Sequence, residues 1–438
     1  MHEASLESFV QWFRAAAPYI HAFGGKTFVV AFGGEVVEDG KFVGLSHDLN
    51  LLASLGVRLV LVHGSRPQID AQLAERSLKT EYVEGVRVTG VEALTSVTEA
   101  NGRLRVEIEA LLSMGLPNSP MAGSPIRVAS GNFVTARPRG VVNGVDMRYT
   151  GEVRKIHADA IKRRLDDEEL MLLSPLGYSP TGEIFNLTLE DVAAETAIAL
   201  KAEKLVFLMN EPGVSRAGKL LRELTVSDAQ RVLASRVKLS DDVRLYLPRA
   251  VHACQGGVSR VHFISRHQDG ALLQELFTHS GVGTMITQDP LETLRQARIE
   301  DVGGVLRLIE PLEADGTLVK RSRERLEREI ERFFVLEHDA RIVGCAALYP
   351  FEKNRMAELA CLAVQPQSRN GGAGERLLKR VEAQAKKQRI RKLFVLTTRA
   401  AHWFIERGFE ETSPDVLPAE KQALYNYQRR SKVFCKSI

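Results

Sequence analysis

A chain of 438 residues exceeds the size of one typical core, so two or three domains are expected. A net charge of only +4 argues against nucleic-acid binding as the main activity, and the apolar and charged fractions are those of a soluble globular protein. Cys254, Cys345, Cys361 and Cys435 show no metal-ligand spacing and fit reduced thiols of a cytoplasmic protein. No basic segment leads into an apolar one at the N-terminus, no apolar run is long enough to cross a bilayer, and internal repeats and low-complexity tracts are absent.

Leu6 to Ile20 forms an amphipathic segment with Phe9, Phe13 and Ile20 available to one face. It lies ahead of the βαβ pattern, so it is expected to pack on a partner subunit or close a site. Apolar strands then alternate with helical patterns, as in an α/β domain. Strands are predicted at Thr27–Phe32, Arg58–His63, Gly182–Phe185 and Lys204–Met209, and helices at Leu45–Leu55, Pro67–Glu75, Leu189–Leu200 and Ala271–Phe277.

The strings Phe28-Val29-Val30-Ala31-Phe32-Gly33-Gly34, Val62-His63-Gly64-Ser65-Arg66-Pro67-Gln68-Ile69, Gly85-Val86-Arg87-Val88-Thr89 and Phe185-Asn186-Leu187-Thr188 resemble the motifs of the amino-acid kinase family, N-acetylglutamate kinases above all. The resemblance covers residues 20–286 and implies a three-layer α/β fold. It also implies a lysine two positions before the paired glycines, where this chain has Ala31. Phosphoryl transfer depends on positioned positive charge, and losing one such contact typically costs about 3–4 kcal/mol in the barrier. Glu190 stands where the family places a catalytic aspartate, and Ser65-Arg66 replaces a glycine-rich phosphate turn. The domain is therefore read as catalytically degenerate. Arginine-inhibited members of the family carry an extra N-terminal helix and a segment resembling 267–285; both are present. That resemblance implies an L-arginine site at Tyr19, Lys204, Glu275, Gly281 and Thr284. Glu275 would accept the guanidinium through two oxygens, and backbone N–H groups near Gly281 and Thr284 would hold the effector's carboxylate.

Gln288-Asp289-Pro290 breaks the pattern, giving a domain at 1–286, a linker at 287–292 and a second domain at 293–438. A helix carrying Val302, Val305 and Ile309 precedes a charged helix at Ser322–Glu331. Strands follow at Phe333–Glu337, Ile342–Tyr349, Met356–Val364 and Leu393–Thr397, an α+β pattern. Between the third strand and a helix at Glu375–Lys386 lies Arg369-Asn370-Gly371-Gly372-Ala373-Gly374. A strand, a glycine-rich turn and a helix start aim several backbone N–H groups at one spot, which suits a pyrophosphate.

This loop resembles the coenzyme A loop of the GCN5-related N-acetyltransferases, and the fused kinase-like region makes the whole chain similar to the bacterial N-acetylglutamate synthases. The resemblance implies acetyl transfer from acetyl-CoA to the α-amine of L-glutamate, the first step of L-arginine biosynthesis, with feedback inhibition by L-arginine. It also implies a homo-oligomer, expected as a hexamer; no metal is expected, since the attacking group is an amine and the acyl donor is already activated. Coenzyme A is expected on Cys361, Leu362, Ala363 and Val364 of the strand and on Arg369, Asn370, Gly371, Gly372, Ala373 and Gly374 of the loop. A dicarboxylate acceptor needs cationic anchors. Arg321 and Arg430 are the leading candidates, with Lys320 in the same role and Lys432 in reserve, beside Cys361. Glu358 is the expected general base, its carboxyl pKa raised by apolar neighbours Met356, Leu359 and Leu362. Where many of these transferases place a thiolate-protonating tyrosine, this chain has Phe404; His402, Thr397, Tyr425 and Tyr427 remain alternatives. A covalent route through Cys361 also stays open. Two other readings compete: an active N-acetylglutamate kinase with an accessory acetyl-CoA domain, and a non-enzymatic arginine sensor.

Overall fold

A computed structural model describes residues 3–438 apart from 125, 236–237, 279–280, 340 and 424–430; of residues 3–7, 367, 370 and 371 only the backbone is described. Two compact units divide between Asp289 and Pro290. Helices α1 (Glu3–Phe23), α2 (Phe42–Ser54), α3 (Val91–Leu112), α4 (Leu189–Leu200), α5 (Asp241–Gln255) and α6 (Ala271–Phe277) belong to the first. Its main sheet consists of β1 (Thr27–Phe32), β2 (Arg58–His63), β3 (Val128–Ala129), β4 (Leu170–Leu173), β5 (Lys204–Met209), β6 (Glu223–Thr225), β7 (Arg260–Ser265) and β8 (Thr284–Thr287). The order is β6-β8-β7-β5-β1-β2-β4-β3, parallel except where β8 runs against β7.

β4 and the interiors of β1, β2 and β5 are apolar because both sheet faces are covered, as parallel sheets require, with Thr27, Arg58, His63 and Lys204 at strand ends. One face packs on α4 and α5, the other on α1, α2 and α6. Helix α4 is fixed at its start by Thr188, whose hydroxyl accepts from the Asp191 N–H. A smaller sheet of 134–138, 151–156, 176–178 and 184–186 flanks this core.

The second unit contains one sheet, β9 (Glu292–Gln296), β10 (Phe333–His338), β11 (Arg341–Phe351), β12 (Met356–Val364), β13 (Lys392–Thr397), β14 (Glu410–Thr412) and β15 (Lys432–Ser437), in the order β9-β10-β11-β12-β13-β15-β14. Helices α7 (Val302–Ala314) and α8 (Arg323–Glu329) cover one face and α9 (Ala373–Lys387) and α10 (Ala401–Ile405) the other. Helix α9 buries Leu377, Leu378, Val381 and Ala385, an i, i+4, i+8 stripe with Leu378 beside it. The charged helix is shorter than its charge pattern predicts. Ser322 caps it, Glu329 ends it, and Ile330–Arg332 tightens to a 3-10 turn.

Candidate active site in the second unit

The site forms where two central strands part. β12 pairs with β13 only over Met356–Glu358 against Lys392–Phe394, so the backbone from Leu359 to Val364 has no partner strand on that side. On its other edge β12 follows β11, but two residues, Cys361 and Leu362, oppose one between Cys345 and Ala347. This bulge puts Cys361 at φ +50°, and its carbonyl accepts the Cys345 thiol at 3.4 Å. A bulge bends and twists a strand, which opens the wedge toward β13. The wedge is a cavity of about 800 Å³.

Its walls bring together Arg321, Glu358, Cys361–Val364, Arg369, Gly374, Thr397 and Phe404. Arg321 lies on the segment before α8, its backbone N–H held by the Glu313 carboxylate at 3.0 Å. One guanidinium nitrogen donates to the Val319 carbonyl, while the buried Nε has no partner among the described residues. Glu358 is 9% exposed and sits opposite Tyr349 on β11 and Phe394 on β13. The purely apolar setting expected for it is corrected: Lys421 Nζ lies 2.6 Å from its Oε2. Burial pushes the Cys361 thiol up to about 11, against the pull of Arg321. A thiol held protonated in this way is a poor nucleophile, so the geometry disfavours the covalent route.

The glycine loop descends from β12 through a 3-10 turn, Pro366–Gly371, and Gly372 takes the left-handed conformation at φ +76° to start α9. That start presents the free N–H groups of a 15-residue helix. Arg369 turns back, donating to the Val364 carbonyl at 3.2 Å. A Cβ at Gly374 would stand 3.2 Å from Trp403, whose ring also lines the cavity. Lys320 is exposed and away from the cavity wall, as is His402 on α10. Arg430, Tyr425 and Tyr427 lie outside the described residues. Sequence reasoning missed Lys421, Trp403 and Ser431; nothing in their spacing from Glu358 announces them.

Two of the residues expected to bind an effector, Lys204 and Glu275, form a buried cluster in the first unit, joined by His262, which the sequence reading did not single out. Lys204 opens β5 with its Nζ 3.3 Å from His262 Nε2 and 5.2 Å from the Phe23 ring centre. His262 Nδ1 lies 2.8 Å from Glu275 Oε1, and the N–H groups of Val282 and Gly283 donate to Glu275 Oε2. Burial, then the Lys204 ammonium, lower the His262 imidazole to about 4. Burial opposes ionisation of Glu275, but His262 and the two N–H groups outweigh it and hold the carboxyl at about 2. Both Glu275 oxygens are thus already engaged, unlike the open two-point acceptor expected. Gly281, at φ +57°, lets the loop pass close to Glu275. Tyr19 and Phe23, both on α1, lie with ring centres 6.0 Å apart and planes tilted by 41°. The Thr284 hydroxyl is committed elsewhere, donating to the Leu221 carbonyl and accepting from the Val214 N–H.

Residues 26–265 match the amino acid kinase family and residues 329–411 the acetyltransferase (GNAT) domain. The amino-acid acetyltransferase of Ralstonia nicotianae is 54% identical over 434 residues, covering 99% of this chain and 96% of the relative. That of Pseudomonas putida strain GB-1 is 54% identical over 435 residues, covering 99% and 100%. The crystal structure of N-acetylglutamate synthase from Neisseria gonorrhoeae complexed with coenzyme A and L-arginine superposes with a TM-score of 0.88 at 40% identity, covering 98% of this chain and 99% of that one. The same enzyme complexed with coenzyme A and N-acetyl-glutamate gives 0.63 over the same shares. The chain belongs to the amino-acid acetyltransferases. In this acetyltransferase Ala31 is buried in β1, and no lysine is among the described residues lining the small cavity at Gly33, Gly34, Ser65, Arg66 and Glu190. Burial there raises the Glu190 carboxyl above its usual range. Among the described residues no helix is long and apolar enough to cross a membrane, and no three acidic, histidine or cysteine side chains group as a metal site.

Proposed function

We propose that residues 293–438 transfer the acetyl group of acetyl-CoA to the α-amine of L-glutamate, opening L-arginine biosynthesis. In this reading residues 1–286 are a catalytically degenerate kinase-like domain through which L-arginine inhibits, in a cytoplasmic homo-oligomer, a hexamer. The observation that carries the acceptor assignment is Arg321, a guanidinium with a buried, unpartnered Nε facing a cavity that also holds Glu358 and Lys421. A planar donor of this kind suits a carboxylate, and two cations suit a dicarboxylate. The Neisseria enzyme's complexes with coenzyme A, N-acetyl-glutamate and L-arginine support the ligand set.

The parted strands and the start of α9 fit coenzyme A: unpaired backbone beyond Glu358 for its amide chain, helix N–H groups for its diphosphate. Acetyl-CoA supplies an activated acyl group, and the chain supplies the rest. The acceptor amine must first lose a proton, at a cost of about 2.7 kcal/mol if its pKa lies two units above ambient pH. Glu358 takes that proton, directly or through water, once Lys421 turns from its Oε2 toward an acceptor carboxylate. Backbone N–H groups near Cys361 and Leu362 stabilise the negative charge that develops on the carbonyl oxygen. The departing thiolate takes up the proton that the attacking nitrogen releases, and the Thr397 hydroxyl, on the cavity wall, donates a hydrogen bond to it.

The test is thiol release from acetyl-CoA across amino-acid acceptors, with and without arginine. L-glutamate should be turned over far faster than L-glutamine or L-alanine, and arginine should slow it. Equal rates for glutamate and glutamine would remove the carboxylate role of Arg321. ATP consumption with N-acetylglutamate would restore the kinase reading.

A further inference from the structure

A second cavity in the first unit, of about 320 Å³, lies at the C-terminal ends of β5 and β7 on the face covered by α2 and α6. One wall is α2 with its N-cap. Lys41, Gly44, Leu45 and Asp48 follow helical spacing and so line one face. The other is the loop Ser265–Gly270 after β7. Asp48 is 8% exposed, yet among the described residues it accepts no hydrogen bond and forms no ion pair. Buried carboxylates are rarely left so.

A second carboxylate shares the space. A Cβ at Gly44 would stand 2.7 Å from Asp269 Oδ1, so Asp269 rests against α2 four residues before Asp48. The two carboxylates therefore face one cavity about one helical turn, roughly 5–6 Å, apart. Every nearby cation is engaged elsewhere: Lys41 Nζ lies 2.6 Å from His267 Nδ1, and Arg266 pairs with Asp39 and donates to Asn210 Oδ1. Burial, with Asp269 adding to it, pushes the Asp48 carboxyl up to about 7. Val36, Leu45, Leu208 and Ile264 supply an apolar floor.

We propose that this cavity binds an organic cation, an alkylammonium or guanidinium held between Asp48 and Asp269 with its aliphatic part on the apolar floor. A divalent metal ion fits less well, because the apolar floor offers no partners to the waters that would complete its six or more oxygen ligands. The site is separate from the Lys204–His262–Glu275 cluster, whose Glu275 lies six residues beyond Asp269, toward the far end of α6.

The experiment measures the Tm of the full chain at pH 8 and constant ionic strength. The probes are n-butylammonium and methylguanidinium chloride, with tetramethylammonium and magnesium chloride as comparators. At ten times its Kd, either organic probe should raise Tm by about 2–4 °C, and neither comparator should. Asp48→Asn should abolish the shift, whereas Glu275→Gln should keep it. A parallel measurement needs no variant: saturation-transfer NMR of n-butylammonium on the wild-type chain should show binding about 100-fold weaker at pH 5 than at pH 8 as Asp48 takes up its proton. The proposal falls if tetramethylammonium or magnesium shifts Tm equally, if Asp48→Asn retains the shift, or if binding is the same at both pH values.

Discussion

Arg321 places a buried Nε, unpartnered among the described residues, on the wall of a cavity. A buried donor without an acceptor costs about 1–3 kcal/mol, and here a guanidinium carries that burden inside a cavity. Arg321→Gln should therefore lower kcat/KM for L-glutamate by about 10–100-fold, the worth of one charge-assisted hydrogen bond, while KM for acetyl-CoA moves by less than about twofold. Steady-state kinetics on both substrates check this; equal losses for both would place Arg321 outside the acceptor site. Cys361 leads to the opposite expectation. With its thiol near 11, only about one molecule in ten thousand carries a thiolate at pH 7. Cys361→Ala should keep turnover within a few-fold, and an acetyl-enzyme trapped in the wild type but absent from the variant would reverse that conclusion. The buried imidazole at 262 and the carboxyl at 275 give a pH dependence of stability. His262 has a folded pKa of about 4 against about 6.5 when unfolded, so its contribution is complete above 6.5 and lost as pH falls toward 4. Glu275, near 2 against about 4.3, adds a loss at still lower pH, and both act in the same direction. Tm should thus fall from pH 7 to pH 4, with a shallower fall in His262→Asn.

Strands and helices with an unbroken apolar rhythm were readable. β1, β2, β5 and the helix after the glycine loop lie within a residue or two of their predicted bounds because one burial pattern governs each. Other elements are silent for physical reasons. Helix α3 turns Ser96 and Asn101 inward along with Val97, Ala100 and Leu104, and Asn101 accepts the Ser65 hydroxyl, so polar residues interrupt its buried face. Helix α5 carries Pro248 within it, which reads as a break. The glycine loop and Glu358 were legible because a single segment carries them. Lys421, 63 residues further along, reaches the site only through the fold. Among the glycines, Gly283 makes the sharpest prediction. A Cβ there would stand 1.9 Å from the Phe263 carbonyl oxygen, and no backbone can absorb that without moving. Since the Gly283 N–H also holds Glu275, Gly283→Ala should lower Tm by several degrees and weaken the response to arginine. Thermal unfolding with and without L-arginine tests both; an unchanged response would detach this loop from effector binding.

Over the whole molecule, two units that divide at Asp289 hold two kinds of electrostatics. In the second, cations face a large cavity, ready for anionic substrates. In the first, the position that a kinase would give to a lysine is a buried methyl group, while a lysine is instead buried at position 204, against His262 and the Phe23 ring. A buried ammonium in the kinase-like unit thus sits where an effector is proposed to bind, while the position of the kinase lysine holds a methyl group. Removing one member of a buried charged cluster leaves the others uncompensated and is typically destabilising. Lys204→Met should accordingly lower Tm without ligand, and also raise the His262 pKa by removing the positive charge beside it. If Lys204 serves the effector, the same variant should lose inhibition by millimolar L-arginine while keeping wild-type kcat for L-glutamate. Activity assays across an arginine titration decide between a structural lysine and a regulatory one: retained inhibition in a folded Lys204→Met protein would make the buried ammonium a feature of the fold alone.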